Sequence, residues 1–109
     1  MTSTQSTADT LVDWASGNWT VTIGNEEMFV ARWTEFLQWT KAEAPGFVQA
    51  RLIHDTADPQ HFISTALWTS AADRDAWRML PGFTEHIAAC RALCDNLRAS
   101  DYVEAAVVR

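Results

Sequence analysis

His61–His86, HFISTALWTSAADRDAWRMLPGFTEH, limits how this chain can fold more than any other stretch, because its side-chain period changes once, at a definable point. Side chains in a strand repeat every two residues. Phe62, Ser64, Ala66 and Trp68 therefore share one face, and His61, Ile63, Thr65 and Leu67 the other. Thr69 and Ser70 then offer capping hydroxyls, and Asp73 places a carboxylate in the first helical turn, where the positive end of the helix dipole favours it. The pattern predicts a strand that becomes a helix at Ser70. Pro81-Gly82 ends that helix and Phe83 opens another. Trp68 closes the strand and Trp77 follows about two turns past the cap, so two indoles converge on one corner.

The rest of the chain supplies partners for that unit. Leu11–Val21 alternates as a strand, with Val12, Trp14 and Ser16 on one face and Leu11, Asp13 and Ala15 on the other; Gly17 reads as a bulge that re-aims Asn18 and Trp19. Gly24-Asn25 is a turn, and Glu26-Glu27 open a helix. Phe29, Trp33, Phe36, Leu37, Thr40 and Ala44 form one stripe of that helix until Pro45-Gly46 stops it. Phe47–His54 reads as a strand, joined to the next by a hairpin turn over Asp55–Gln60. A longer helix is expected from Gly82 to about Leu97, burying Phe83, Ile87, Cys90, Cys94 and Leu97, and a last strand over Asp101–Val108.

Strand, helix, strand, strand, helix pair, strand is the order of a ferredoxin-like split βαβ unit, an α+β fold with a four-stranded antiparallel sheet and helices on one face. At 109 residues the chain holds one such domain, expected over 11–109, with a mobile polar tail over 1–10. The sheet's second face also reads as apolar, through Ile63, Leu67, Val103, Ala105 and Val107. An apolar sheet face calls for a cover, and a two-fold homodimer supplies it.

The formal net charge of −6 argues against nucleic-acid or anionic-membrane partners, which need a basic surface. No apolar run reaches bilayer-spanning length, and the polar N-terminus lacks the basic and apolar blocks of a secretory signal. Cys90 and Cys94, four apart on one expected helix, are poorly placed for a disulfide, so a reducing, cytoplasmic setting is expected. Six tryptophans exceed what so small a core absorbs, so some are expected to line a cavity or an interface.

Gly24, Glu26-Glu27 and Phe29, Pro45-Gly46-Phe47, Asp58-Pro59 with Phe62, Leu67-Trp68-Thr69-Ser70, Ala76-Trp77 and Pro81-Gly82-Phe83 together resemble the antibiotic biosynthesis monooxygenase family of dimeric α+β barrels, over about residues 11–108. The resemblance implies oxygenation of aromatic polyketides, commonly without metal or flavin, with a related branch that degrades haem. The polyketide-oxidising branch associates an Asn, a Trp, a Tyr and an Arg with its pocket. Trp68 matches the Trp, whereas Ser64 stands at the Asn position and Arg74 at the Tyr position. For the haem branch, Asn18 and Trp77 are counterparts, but Ile87 stands where a His is needed and His86 is one residue short, a turn of about 100° on a helix.

The expected site therefore gathers Trp68 and Trp77 as stacking walls, with Trp33 and Phe83 beside them, Ser64 or Asn18 as hydrogen-bonding groups, Arg74 against a substrate oxyanion, and His86 as the base that ionises a phenol. His54 and His61 flank the hairpin at the sheet's rim. His86, Cys90 and Cys94 form an i, i+4, i+8 ladder that cannot surround one ion, so no metal is expected. Three functions fit this pattern: cofactor-independent oxygenation of a flat aromatic phenol, haem binding or degradation, and non-catalytic ligand binding or cyclisation assistance in a biosynthetic pathway.

Overall fold

The computed structural model describes residues 12–109; the tail expected over 1–10 lies outside the described residues, as does Leu11. Among the described residues the chain runs β1 Asp13–Val21, α1 Glu26–Glu43, β2 Phe47–His54, β3 His61–Trp68, α2 Ala71–Trp77, α3 Phe83–Arg91 and β4 Cys94–Val103. The strands form one antiparallel sheet in the order β2-β3-β1-β4, the ferredoxin-like α+β arrangement.

Local chemistry sets most boundaries where the residues require them. Ser70 is extended, and its Oγ accepts from the Asp73 N–H at 3.1 Å, so the strand-to-helix switch rests on a side-chain cap. In the hairpin, Asp55 accepts from the Ala57 N–H and Asp58 from the Gln60 N–H, two local turns that fold the loop back on itself. On α1, Phe29, Phe36, Leu37 and Thr40 are buried and Trp33 is half-buried, so the expected stripe faces the sheet.

Three expectations need correction. Helix α3 ends at Arg91 and β4 begins at Cys94, so Cys94 and Leu97 are strand residues, not part of a helical stripe. The reason is register: β1 pairs with β4 from Asp13–Val103 through to Val21–Cys94, and filling that ladder outweighs continuing a helix through Cys94, Asp95 and Asn96, poor helix formers. Gly17 makes no bulge, since it pairs regularly with Ser64 and Ala99; the irregularity in β1 lies between Thr20 and Val21. The uncovered face carries Ile63 and Leu67 as expected, but Val103 pairs with Asp13 on the helix-covered side, and Ala105 and Val107 lie beyond the strand. In their place a row Leu67–Trp14–Tyr102 crosses three strands, and Ile53 pairs with Ile63 on the far side of the polar row Thr65–Ser16–Ser100.

Gly46, between α1 and β2, holds φ at +87°, and a Cβ there would sit 2.6 Å from the Asp73 Cβ. Both the backbone and the neighbour exclude a side chain. Gly46→Ala is expected to lower the unfolding free energy by about 2 kcal/mol, read as a lower urea midpoint at unchanged m-value; an unmoved midpoint would show that the Asp73 turn yields freely.

Candidate functional site

The site starts from the contrast between small residues on the sheet and large ones on the helices. Ala15 and Gly17 on β1 and Ser64 and Ala66 on β3 face the helices, and Trp33, Phe36, Leu37, Phe83 and Ile87 face them from α1 and α3. Between the two layers is a cavity of about 250 Å³, with Trp77 and Arg78 at one end and Arg91 on its wall. Small floor and large walls leave a slot in place of interdigitated packing.

Trp77 keeps its position through a buried bond. Its Nε1–H donates to Thr40 Oγ1 at 2.9 Å, and Thr40 in turn donates to the Phe36 carbonyl at 2.9 Å. The indole then stacks on Phe36 at 5.6 Å, with ring planes 15° apart, while Phe83 meets it edge-on at 5.0 Å. Trp68 is fully buried behind this layer, 4.9 Å from Trp77 and 5.7 Å from Phe47, and is not part of the cavity wall. Its Nε1–H has no acceptor among the described residues. The corner expected to hold two indoles around a slot therefore has one lining indole and one core indole.

On the floor, Trp19 Nε1–H donates to Ser64 Oγ at 3.0 Å. A Cβ at Gly17 would lie 2.5 Å from that indole nitrogen and 2.8 Å from the Ser64 oxygen, so only glycine lets this pair reach the cavity. Trp19, Phe36, Arg78 and Arg91 are site residues that the sequence reasoning misses. Trp19 has a detectable signal, since it shares the Ala15 parity on β1; the arginines have none, because only the packing of α2 and α3 aims them.

Of the expected site residues, Ser64, Trp77, Phe83 and Trp33 share the cavity wall. The others do not. Asn18 lies on the sheet's opposite face, exposed, where its Oδ1 is 2.7 Å from His61 Nε2; His61 Nδ1 is in turn 2.9 Å from Asp55, whose carboxyl that contact holds below its ordinary range. His54 stacks on Phe62 at 3.9 Å, at the rim as expected. His86 stacks behind Phe36 at 5.9 Å and against Trp39 at 4.8 Å, turned away from the cavity that its neighbour Ile87 lines. Arg74 is nearly enclosed and lies within 3.7 Å of Asp13, Asp75 and Asp101, so its charge is already matched.

Arg78 donates to Asp101 through both terminal nitrogens, one of them at 2.9 Å, and its guanidinium lies 5.8 Å from the Trp77 ring centre. That fork raises the Arg78 pKa and holds the Asp101 carboxyl below its ordinary value. Arg91 has no ion-pair partner among the described residues, and no Asp or Glu lines the cavity. Cys90 and Cys94 are free thiols, Cys94 lying on β4 beside the Cys90 carbonyl; burial pushes Cys90 up to about 12 and Cys94 to about 11, so neither is a thiolate at neutral pH.

The Asp101 shift has a definite sign. A carboxylate whose folded pKa is depressed adds stability above its ordinary value of 3.8, and that contribution disappears as pH falls through the lower folded value. Asp101→Asn should lower Tm at pH 7, with the gap to the unaltered protein closing below pH 3.8; a gap of constant size across that range would remove the Arg78–Asp101 pairing as its cause.

The family model described as antibiotic biosynthesis monooxygenase matches residues 15–89. Among solved structures, SnoaB of Streptomyces nogalater, a cofactor-independent oxygenase, superposes with a TM-score of 0.82 at 21% identity, covering 90% of this chain and 97% of that one. A point mutant of the same protein gives the same TM-score at 22% identity, over 89% and 96%. A conserved protein of Methanosarcina mazei Go1 gives 0.80 at 12% identity, over 91% and 98%. At these identities the likeness establishes the fold. No curated protein matches the sequence, and no helix among the described residues is long and apolar enough to cross a membrane.

Proposed function

Because the chain belongs to the antibiotic biosynthesis monooxygenase family, we propose that its cavity takes a flat phenolic aromatic molecule and that the protein oxygenates it with O2, using neither metal nor flavin. The observation that carries this reading is the lining: aromatic and aliphatic walls, with Ser64, Arg78 and Arg91 among the polar groups and no carboxylate. Such a wall accepts a planar apolar body whose polar edge carries oxygen and negative charge. The description of the Streptomyces protein as a cofactor-independent oxygenase supports the same chemistry.

The reaction needs an electron-rich anion. A phenol has a pKa of about 10, and its phenolate is the form that passes an electron to O2. The resulting radicals combine at the carbon para to the phenol oxygen. Loss of water from that peroxide leaves a quinone, so phenol and O2 give quinone and H2O, one oxygen atom in each product. In this site the Ser64 hydroxyl donates to the phenolate oxygen, and the uncompensated charge of Arg91 favours ionisation. The base role expected of His86 has no geometric support, because the Phe36 ring lies between that imidazole and the cavity.

Haem is not favoured. Asn18 and Trp77, the residues that would share it, lie on opposite faces of the sheet. The non-catalytic binding reading is separated by oxygen consumption. With 1-naphthol, O2 uptake above the protein-free rate and an equal yield of quinone are expected. Ser64→Ala should then lower kcat/KM by about tenfold to a hundredfold, and Arg91→Gln should act mainly by raising KM. Quenching of tryptophan fluorescence with no extra O2 uptake would leave a binding protein.

The homodimer belongs to the same proposal. Leu67, Trp14 and Tyr102 form one apolar row on the uncovered face, and Ile53 with Ile63 a second patch across the intervening Thr65–Ser16–Ser100 row, with Ile53 and Tyr102 more than half exposed. Sedimentation at micromolar concentration should give twice the 12.2 kDa chain mass, and Leu67→Glu should give the single-chain mass with unchanged circular dichroism. A single-chain mass for the unaltered protein would overturn the pairing.

A further inference from the structure

We propose that the cavity seats two fused rings of an oxygen-bearing arene, its oxygen on the Ser64 hydroxyl in an orientation that Trp19 sets, and that a third ring finds no place inside it. The chemistry rests on the oxygenase reading above; the binding does not.

Size comes first. A dry cavity of about 150 Å³ accommodates one benzene, about 25 Å³ per ring carbon, so two fused rings need about 250 Å³ and three about 350 Å³. The cavity offers about 250 Å³. Its boundaries do not yield cheaply. Trp77 is tied to Thr40 at 2.9 Å, stacked on Phe36 and met edge-on by Phe83, and the fully buried Trp68 packs 4.9 Å behind it. The floor offers nothing to trim, because Ala15, Gly17 and Ala66 already carry the smallest side chains. A third ring has to break the Trp77–Thr40 bond or project out through the mouth.

Valence comes second. A serine hydroxyl has one proton to donate and two lone pairs to fill. Trp19 fills one lone pair of Ser64 at 3.0 Å, and an indole N–H accepts nothing in return. The Ser64 proton has no acceptor among the described residues, although the residue is only 9% exposed and lines the cavity. A buried donor that faces a cavity and has no protein acceptor is matched by a ligand that brings an acceptor oxygen. Trp19 also polarises the hydroxyl it donates to, which strengthens the outgoing bond. It is a positioning residue, acting through Ser64.

The test is calorimetric titration of the full chain with 1-naphthol, naphthalene and anthrone, at a pH where all three are neutral. Naphthol is expected to bind at least tenfold tighter than naphthalene, and anthrone at least tenfold weaker than naphthol. Ser64→Ala should erase the naphthol preference while leaving naphthalene binding unchanged, and Ser64→Thr should retain part of it. Trp19→Phe should weaken naphthol severalfold in the unaltered background and not at all in Ser64→Ala; a purely structural role would weaken naphthalene equally. Anthrone binding as tightly as naphthol would overturn the size limit, and a naphthol preference that survives Ser64→Ala would overturn the anchor. These outcomes are independent of turnover: tight naphthol binding without O2 uptake removes the oxygenase reading alone, whereas anthrone binding as tightly as naphthol, with naphthol still preferred over naphthalene, removes the two-ring limit alone.

Discussion

The cavity exists because the Trp77 indole is held off it. Left free, a side chain of that size at the end of a seven-residue helix would turn into the nearest void, since an empty apolar space forfeits dispersion contacts on every side. Thr40 prevents this. It is fully buried, donates to the Phe36 carbonyl four residues earlier, and uses its remaining lone-pair capacity for the Trp77 N–H. One hydroxyl thus fixes the wall, satisfies the buried polar groups of both partners, and ties α2 to the last turn of α1. A valine there would fill the same volume and leave the indole N–H unpaired, at a cost of about 1–3 kcal/mol. Trp68 shows that condition directly: its N–H is buried without a partner, so sound packing alone holds that ring in place.

Charge is arranged as selectively as volume. The chain carries a formal net charge of −6, yet the cavity wall presents arginines and no acid. The carboxylates Asp13, Asp75 and Asp101 are committed to Arg74 and Arg78 where α2 meets β1 and β4. That cluster serves as a clasp between helix and sheet and leaves Arg91 as the uncompensated cation on the wall. Arg91 is itself solvent-exposed, so the charge it offers an entering anion is partly screened by water.

Much of this is legible in the sequence where one physical rule acts alone. The alternation of His61–Trp68 dictates which residues face the helices, Ser70 announces its cap, and the α1 stripe follows from helical spacing. Legibility fails where tertiary pairing competes with local preference. No glycine or proline marks the passage from α3 to β4, and the need of all nine β1 residues for a partner decides it. A bulge at Gly17 would re-aim Asn18; with regular pairing through Gly17, parity sends Asn18 to the uncovered face and Trp19 to the cavity. The His86 offset is visible as spacing, and the structure gives its consequence: one residue along α3 separates Ile87 on the wall from an imidazole against Trp39.

The division of labour between Ser64 and Arg91 bears on how such a site would treat a phenolate. Stabilising the anion lowers its pKa and raises the fraction available to react, but each increment of stabilisation also makes the anion a poorer electron donor to O2. A guanidinium bonded directly to the oxygen favours ionisation at the expense of transfer. A neutral hydroxyl at the floor, polarised by Trp19, gives a weaker and more localised bond, while the cation on the wall contributes a field that falls with distance. The protein's own thiols are protonated, Cys90 buried and Cys94 half-buried, so the electrons in this scheme come from the bound molecule. With both demands on one oxygen, a neutral near donor and a more remote cation satisfy them better than either group alone.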